Sequence, residues 1–363
     1  MASTTTYDHS TSPSAPSGAT GRAPKRDALL DNAKFLLILL VFVGHAIEPV
    51  TDTRIANAVY FWIYIFHMPA FVLICGFLSK SFDGSARRVD KLLTTVAAPY
   101  LIFWGLYALQ SVAVDRKLPD GPLEPLWITW FLAALFVWRL TVPLWKRIRW
   151  PLAVAIVVSL AAAFVETGEV LGVSRIVSLL PFFVAGLVVR QEHLDFLHNK
   201  LVQVWSAAVV LVTAAASYIY FEQLSREWVY WRESLVERDM ELLPIGIPAR
   251  LVFLAMAFCL TAALLSLTPR RSTWFTRYGA LTMYVFLLHG LIIRIAEQFG
   301  WYDLTGAYMG PHAEFVLNGA LAVALTFVLC SAPVRAATRW AVEPRVDWIL
   351  RRDPDRVERR TGG

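Results

Sequence analysis

From residue 29 to residue 333 the chain repeats one arrangement, an apolar run followed by a short polar break. Each run is about twenty residues long, which as a helix matches the hydrocarbon thickness of a bilayer. Ten such runs can be placed, at roughly 29–47, 57–78, 92–114, 125–144, 151–166, 172–189, 201–221, 247–267, 280–298 and 314–333. In hydrocarbon, backbone N–H and C=O groups have no water to bond, so an open segment must satisfy them as a helix. The expected fold class is therefore all-α: a polytopic integral membrane protein with about ten transmembrane helices. Composition agrees, with 57% hydrophobic and only 17% charged residues, against about a quarter charged in soluble domains.

Basic residues set the expected orientation. With the N-terminus inside, alternate segments gather Lys25 and Arg26, then Lys80, Arg87, Arg88 and Lys91, then Lys146, Arg147 and Arg149. The C-terminal tail adds more, so both ends are expected in the cytoplasm. Residues 1–27 are rich in Ser, Thr, Pro, Ala and Gly and show no packing pattern, as expected of a disordered cytoplasmic leader. A polar leader before the first run, and Glu48-Pro49 after it, read as an uncleaved span and not as a secretory signal. The domain organisation is then leader 1–27, membrane domain 28–334 and basic cytoplasmic tail 335–363. The net charge of +6 is spent on topology, so no nucleic-acid partner is expected. Cys75, Cys259 and Cys330 all lie in apolar runs and offer neither a disulfide framework nor metal-ligand spacing.

The first run, DNAKFLLILLVFVGHAIE, carries ionisable groups where they are costly. His45 lies eleven positions after Lys34, a step that returns to nearly the same helix face after a rise of roughly 16 Å. Glu48 follows three residues later on that face, with Ile38 and Val41 between the polar ends. A neutral imidazole can take a proton from a hydroxyl, and a neighbouring carboxylate can orient it and stabilise the imidazolium. The run thus offers a base at one end and a cation at the other. Snorkelling of Lys34 and interfacial placement of His45 and Glu48 are the alternatives. A carrier using intramembrane His, Lys and Arg, a transporter or flippase, is the other functional reading, although no internal repeat supports it.

Weaker features accompany this stripe. His67-Met68-Pro69 is expected to interrupt the second run, with His67 facing the interior or bonded to a carbonyl. Arg87 and Arg88 suit donor phosphates and equally serve as positive-inside determinants. Arg175, Arg250 and Arg294 sit at or within span ends and are expected to pair with Glu48, Glu297 or loop carboxylates. His289 lies mid-run in TMYVFLLHG. Cys75 has no cation within a helical turn to activate it. Residues 222–246 mix charges with Trp228, Tyr230 and Trp231, and read either as a surface helix on the leaflet or as a lid over an acceptor. Trp127, Trp145, Trp150, Trp274 and Trp301 are expected at membrane interfaces.

Several blocks carry a family likeness. DNAKFLLILLVFVGHAIEP, FHMPAFVLICGFLSKSF, PLWITWFLAALFVWRL, SRIVSLLPFFVAG and LTMYVFLLHGLIIR occur in an order that resembles the membrane-bound acyltransferase 3 family, most of all its fucose 4-O-acetylase-like branch. The likeness covers nearly all of residues 29–333. It implies an O-acetyltransferase that takes acetyl from cytoplasmic acetyl-CoA to a hydroxyl, usually of a glycan or glycoconjugate acceptor outside the cell membrane. The resemblance implies that His45 is catalytic, with Glu48 beside it, and that Lys34, Arg87 and Arg88 bind the donor. His67, Arg175 and His289 are candidate acceptor-binding residues, and no metal is implied. Many relatives have arginine at the position of Lys34, and lysine gives a point charge without the bidentate fork. Serine is common in the family where this chain has Cys75.

Overall fold

A computed structural model describes residues 27–114, 116, 118, 120–165, 170–223, 226–232, 245–346 and 348. The expected leader, save its last residue, and the tail beyond residue 348 lie outside the described residues. The described chain is helical, without strands. The helices are α1 (Ala28–Ile47), α2 (Arg54–Leu78), α3 (Ala86–Leu92), α4 (Ala98–Val112), α5 (Trp130–Trp145), α6 (Pro151–Ala161), α7 (Val173–Ser178) and α8 (Leu180–Val188). They continue with α9 (Gln191–Leu197), α10 (Lys200–Tyr220), α11 (Arg226–Tyr230), α12 (Ile247–Leu267), α13 (Thr282–Gln298), α14 (Trp301–Tyr308), α15 (Pro311–Leu329) and α16 (Ala332–Val342).

Each of the ten apolar runs falls on helix, but not every run is a straight span. Among the described residues seven helical stretches are long and apolar enough to cross a membrane, and nine if two bent pairs each count as one. The pairs are α7 with α8, bent by 55°, and α13 with α14, bent by 62°. The first bend has a local cause. Pro181 in the first turn of α8 has no N–H to give, so the helix restarts there. The run at 151–166 yields only Pro151–Phe164, which at 1.5 Å per residue falls short of a ~30 Å hydrocarbon core. Pro69 does not interrupt α2 as its sequence context suggests; the helix runs unbroken from Arg54 to Leu78 around it.

The first helix is the axis of the bundle, packed by α2, α13 and α15 and by the single turn Thr276–Ala280. Its start is capped by the Asp27 carboxylate, which accepts from the Leu29 N–H at 2.9 Å. One turn on, the buried Asn32 amide satisfies both of its ends. Its Nδ2 donates to the carbonyls of Pro269 and Arg271, and its Oδ1 accepts from the hydroxyls of Thr273 and Thr276. Four bonds from one side chain pin the α1 terminus to the loop before α13, leaving no polar atom unmet in an apolar interior.

Close approach of α2 and α8 depends on glycine. A side chain on Gly76 would run into the Phe183 carbonyl, and one on Gly186 into the Leu73 carbonyl. Small residues at such crossings let helix backbones approach within packing distance where lipid gives little hydrophobic drive. Around this crossing Phe182, Phe183 and Trp138 are buried, with Trp138 stacked on Phe183, and they hold the inner wall of the bundle. By contrast α10 turns Leu201, Val204, Trp205, Leu211 and Val212 outward, an apolar face suited to acyl chains.

Candidate active site

The flank of α1 that carries Lys34, His45 and Glu48 lies inside the bundle. Ile38 and Val41, the residues between the polar ends, are 0% and 2% exposed. Helical spacing brings the last two together, with His45 Nδ1 3.5 Å from Glu48 Oε2. Gly44 contributes here. A Cβ at that position would press on the Tyr64 ring at 3.2 Å, so its absence lets α2 set Tyr64 beside His45.

Tyr64 then bridges the pair. Its hydroxyl lies 2.8 Å from His45 Nδ1 and donates to Glu48 Oε2 at 3.1 Å. Having given its proton to a carboxylate, it can only accept from the imidazole, so Nδ1 carries hydrogen. Nε2 of the neutral ring is left with its lone pair, the arrangement a general base requires. The other carboxylate oxygen, Oε1, accepts from the Tyr230 hydroxyl at 2.7 Å, and Tyr60 and Tyr230 share a further hydroxyl–hydroxyl bond. Burial, and then the Glu48 charge, push the Tyr230 hydroxyl up to about 12, so it stays a donor across physiological pH. The imidazole and the carboxylate are thus held by tyrosines from two other segments.

Aromatic rings enclose the imidazole on its remaining sides. Its centroid lies 5.3 Å from Trp127 and 5.5 Å from His289. The side chain nevertheless keeps 17% of its surface accessible, enough for a reacting group to approach. His289 is wholly buried and its Nδ1 lies 3.0 Å from the Val285 carbonyl. His67, also buried, repeats the pattern with the Ile63 carbonyl at 2.9 Å. A carbonyl only accepts, so both rings hold hydrogen on Nδ1 and offer Nε2 as an acceptor. His67 packs edge-on against Tyr64 at 4.7 Å.

The other expected residues are placed less centrally. Arg175 reaches the network indirectly: its Nε donates to the Tyr230 carbonyl at 3.4 Å and its guanidinium lies over Trp130. Arg294 makes the expected ion pair with Glu297, at 2.8 Å, and covers the Trp127 ring. Arg250 bonds the Ser178 hydroxyl. Lys34 sits at the far end of the flank and is engaged by Asp31 at 2.8 Å, so any anion must share it with that carboxylate. Arg87 and Arg88 are exposed on α3, where Arg88 Nη1 donates to Ser81 Oγ at 3.1 Å. Among the described residues no hydrogen bond or ion pair brings either to the histidines. Among the described residues no group of His, Cys, Asp or Glu is placed to hold a metal ion.

Several site residues escape a reading of the sequence. Trp127 falls on an apparent interface, yet it lies against His45 because its left-handed backbone, φ 46°, starts a helical turn that aims the indole inward. The loop after α10 does not lie as a free surface helix: α11 packs on α2, and Val229 and Trp231 are buried. Its distal part, 233–244, lies outside the described residues. Arg139 is half-buried on α5 and donates to Ser79 Oγ, at the C-terminal end of α2, at 3.2 Å. It is a second cation near the Lys34 end, and its only sequence signal is a charge within an apolar run.

The family model for the acyltransferase domain, of the acyltransferase 3 type, matches residues 27–332. Two relatives called nodulation protein NolL are similar to this chain. That of Mesorhizobium japonicum is 24% identical over 318 residues, covering 78% of this chain and 83% of its own. That of Sinorhizobium fredii is 24% identical over 336 residues, covering 84% and 90%. No solved structure matches the chain. A family match across so much of the chain decides against the carrier reading, and with the apolar helices it has one consequence: the chain belongs to the acyltransferase 3 family and is a multi-pass membrane acyltransferase.

Proposed function

We propose that the protein is an O-acetyltransferase of the cell membrane. It takes acetyl from acetyl-CoA held at the Lys34 end and gives it to a hydroxyl of a carbohydrate acceptor arriving at the His45 end. The observation that carries this reading is the Glu48–Tyr64–His45 chain, in which Nδ1–H is committed and Nε2 is free. His45 Nε2 takes the hydroxyl proton as the acceptor oxygen attacks the thioester carbonyl. Glu48 stabilises the imidazolium through Tyr64 and across the 3.5 Å gap. The proton then returns to the departing thiolate. Removing such a base typically costs roughly 10²–10⁴ in rate.

Lys34 and Arg139 supply cations for donor phosphates, with Arg87 and Arg88 drawing the anionic donor toward the entrance. His67, His289 and Arg175 line the acceptor side, where lone pairs and a guanidinium suit a polyhydroxylated ligand. The test is transfer of label from [1-¹⁴C]acetyl-CoA to endogenous acceptors in membranes that carry the protein, with His45→Ala beside the parent. Loss of transfer in a normally inserted His45→Ala supports the reading; equal transfer by both removes His45 from the reaction.

A further inference from the structure

One requirement of acyl transfer is unmet by the network around Glu48. When the hydroxyl attacks, the thioester carbonyl oxygen takes up negative charge and needs a hydrogen-bond donor. The tyrosines on the Glu48 side cannot serve, because Tyr64 and Tyr230 have given their protons to the carboxylate. His67 and His289 turn lone pairs, not hydrogens, away from their helices.

Beyond the Trp127 ring that lies against His45 stands Tyr107 of α4. Its side chain is 3% exposed and its hydroxyl has no hydrogen-bond partner among the described residues. His289 Nε2 is in the same condition. Both belong to one place: the Tyr107 ring lies 6.0 Å from Trp127, which lies 5.3 Å from His45 and 6.4 Å from His289. The Tyr107 hydroxyl is directed at α13 beside His289, where residue 290 is glycine, and a methyl on Gly290 would collide with that hydroxyl and with the Trp127 ring. Burying a hydroxyl without a partner is costly, and keeping room for it costs α13 a side chain. A donor and an acceptor kept unpaired in the aromatic cluster around His45 are matched to a ligand that brings both an oxygen and a hydroxyl.

Resting on the acyltransfer reading above, we propose that the Tyr107 hydroxyl is the donor to the carbonyl oxygen of the acyl group in transit. As the acceptor oxygen bonds to the carbonyl carbon, its proton goes to His45 Nε2 and the carbonyl π pair moves onto the oxygen facing Tyr107. The C=O bond reforms as the C–S bond breaks, and the thiolate of coenzyme A takes the proton from the imidazolium. Tyr107 keeps its own proton throughout and contributes mainly at the tetrahedral stage, so it acts on kcat more than on KM. Gly290 is then a positioning residue, valued for the space it leaves.

The experiment compares the parent, Tyr107→Phe, Gly290→Ala and His45→Ala in the labelled acetyl-CoA assay, titrating acetyl-CoA, with thermal melting in detergent as a second readout. Tyr107→Phe is expected to lower kcat by roughly 10²–10³-fold, as loss of one such donor does elsewhere. KM for acetyl-CoA should stay within about threefold of the parent. Its melting temperature should be equal to or above the parent's, because the lost hydroxyl had no partner to forfeit. Gly290→Ala should lower kcat in the same direction. Full activity in Tyr107→Phe with an inactive His45→Ala overturns the donor role alone. A lowered melting temperature in Tyr107→Phe also overturns it, since the hydroxyl would then be structural. Unchanged transfer in His45→Ala overturns the acyltransfer reading itself and this proposal with it.

Discussion

Replacing Glu48 by glutamine tests the site through an atom-for-atom change. The carboxylate accepts from two tyrosine hydroxyls, Tyr64 on Oε2 and Tyr230 on Oε1. An amide can accept from only one of them, and its NH₂ must find an acceptor in the other. If the NH₂ faces Tyr64, that hydroxyl becomes an acceptor and must send its proton to His45 Nδ1. The imidazole then carries hydrogen on Nε2 and cannot act as a base. If the NH₂ faces Tyr230, the tautomer survives but the charge opposite the imidazolium is gone. Two unit charges 3.5 Å apart are worth about 5 kcal/mol at an effective dielectric of about 20. Both side chains keep some contact with solvent, 17% and 30%, which brings the figure to roughly 3 kcal/mol. Either route predicts a fall in kcat of about 10²-fold or more. Acetyl transfer from labelled donor, measured at saturating acetyl-CoA, reads this directly. Glu48→Gln activity within about threefold of the parent, with correct insertion, would refute the tautomer argument.

Other consequences are simpler to state. Lys34→Gln should raise KM for acetyl-CoA by about tenfold with kcat little changed, the loss of roughly one charge–phosphate contact of 1.4 kcal/mol; an unchanged KM removes Lys34 from donor binding. Asn32→Ala strips four hydrogen bonds from the α1 terminus and should cost about 2–4 kcal/mol, read as a lower melting temperature in detergent. Gly76→Leu puts a side chain into the Phe183 carbonyl and should abolish stable insertion, read as loss of monodisperse protein on gel filtration. Burial, and then the Glu48 charge, push the Tyr230 hydroxyl up to about 12 from its ordinary value near 10.0. Its cap on Glu48 is therefore fully present below about pH 10 and lost as pH rises toward 12. A pH–rate profile of Tyr230→Phe should match the parent's shape up to about pH 10 at a uniformly lower level.

What the sequence makes legible follows from how far apart the partners are. His45 and Glu48 can be paired on paper because three residues on a helix share a face. Lys34 belongs to the same helix and the same logic, and the same three-residue spacing also gives it Asp31 as a partner. Tyr64 and Tyr60 have a faint signal, since both fall on the helix face of His67 at spacings of three and four. Tyr230 comes from 182 residues away, and its place on Glu48 depends on how a loop folds back over α2, which periodicity does not encode. Trp127 looks like a belt residue because a tryptophan before an apolar run usually is one; a single residue with positive φ reverses that meaning. Tyr107 is invisible for a different reason: its significance is a missing partner and a glycine on another helix, both properties of packing. Each apolar run falls on helix, but the short helices α3, α9, α11, α14 and α16 lie wholly or almost wholly outside the runs, and the bends at Leu179 and Phe299 depend on a proline and on turn geometry that hydropathy averages away.

A structure of the protein bound to a non-cleavable acetyl-CoA analogue, determined in lipid nanodiscs, would measure the geometry on which transfer depends. With the thioester carbonyl carbon beside His45 Nε2, its oxygen toward Tyr107, and the phosphates toward Lys34 and Arg139, donor and base share one passage as described. An analogue whose acyl end lies away from the imidazole, or whose phosphates bind elsewhere on the bundle, would contradict it.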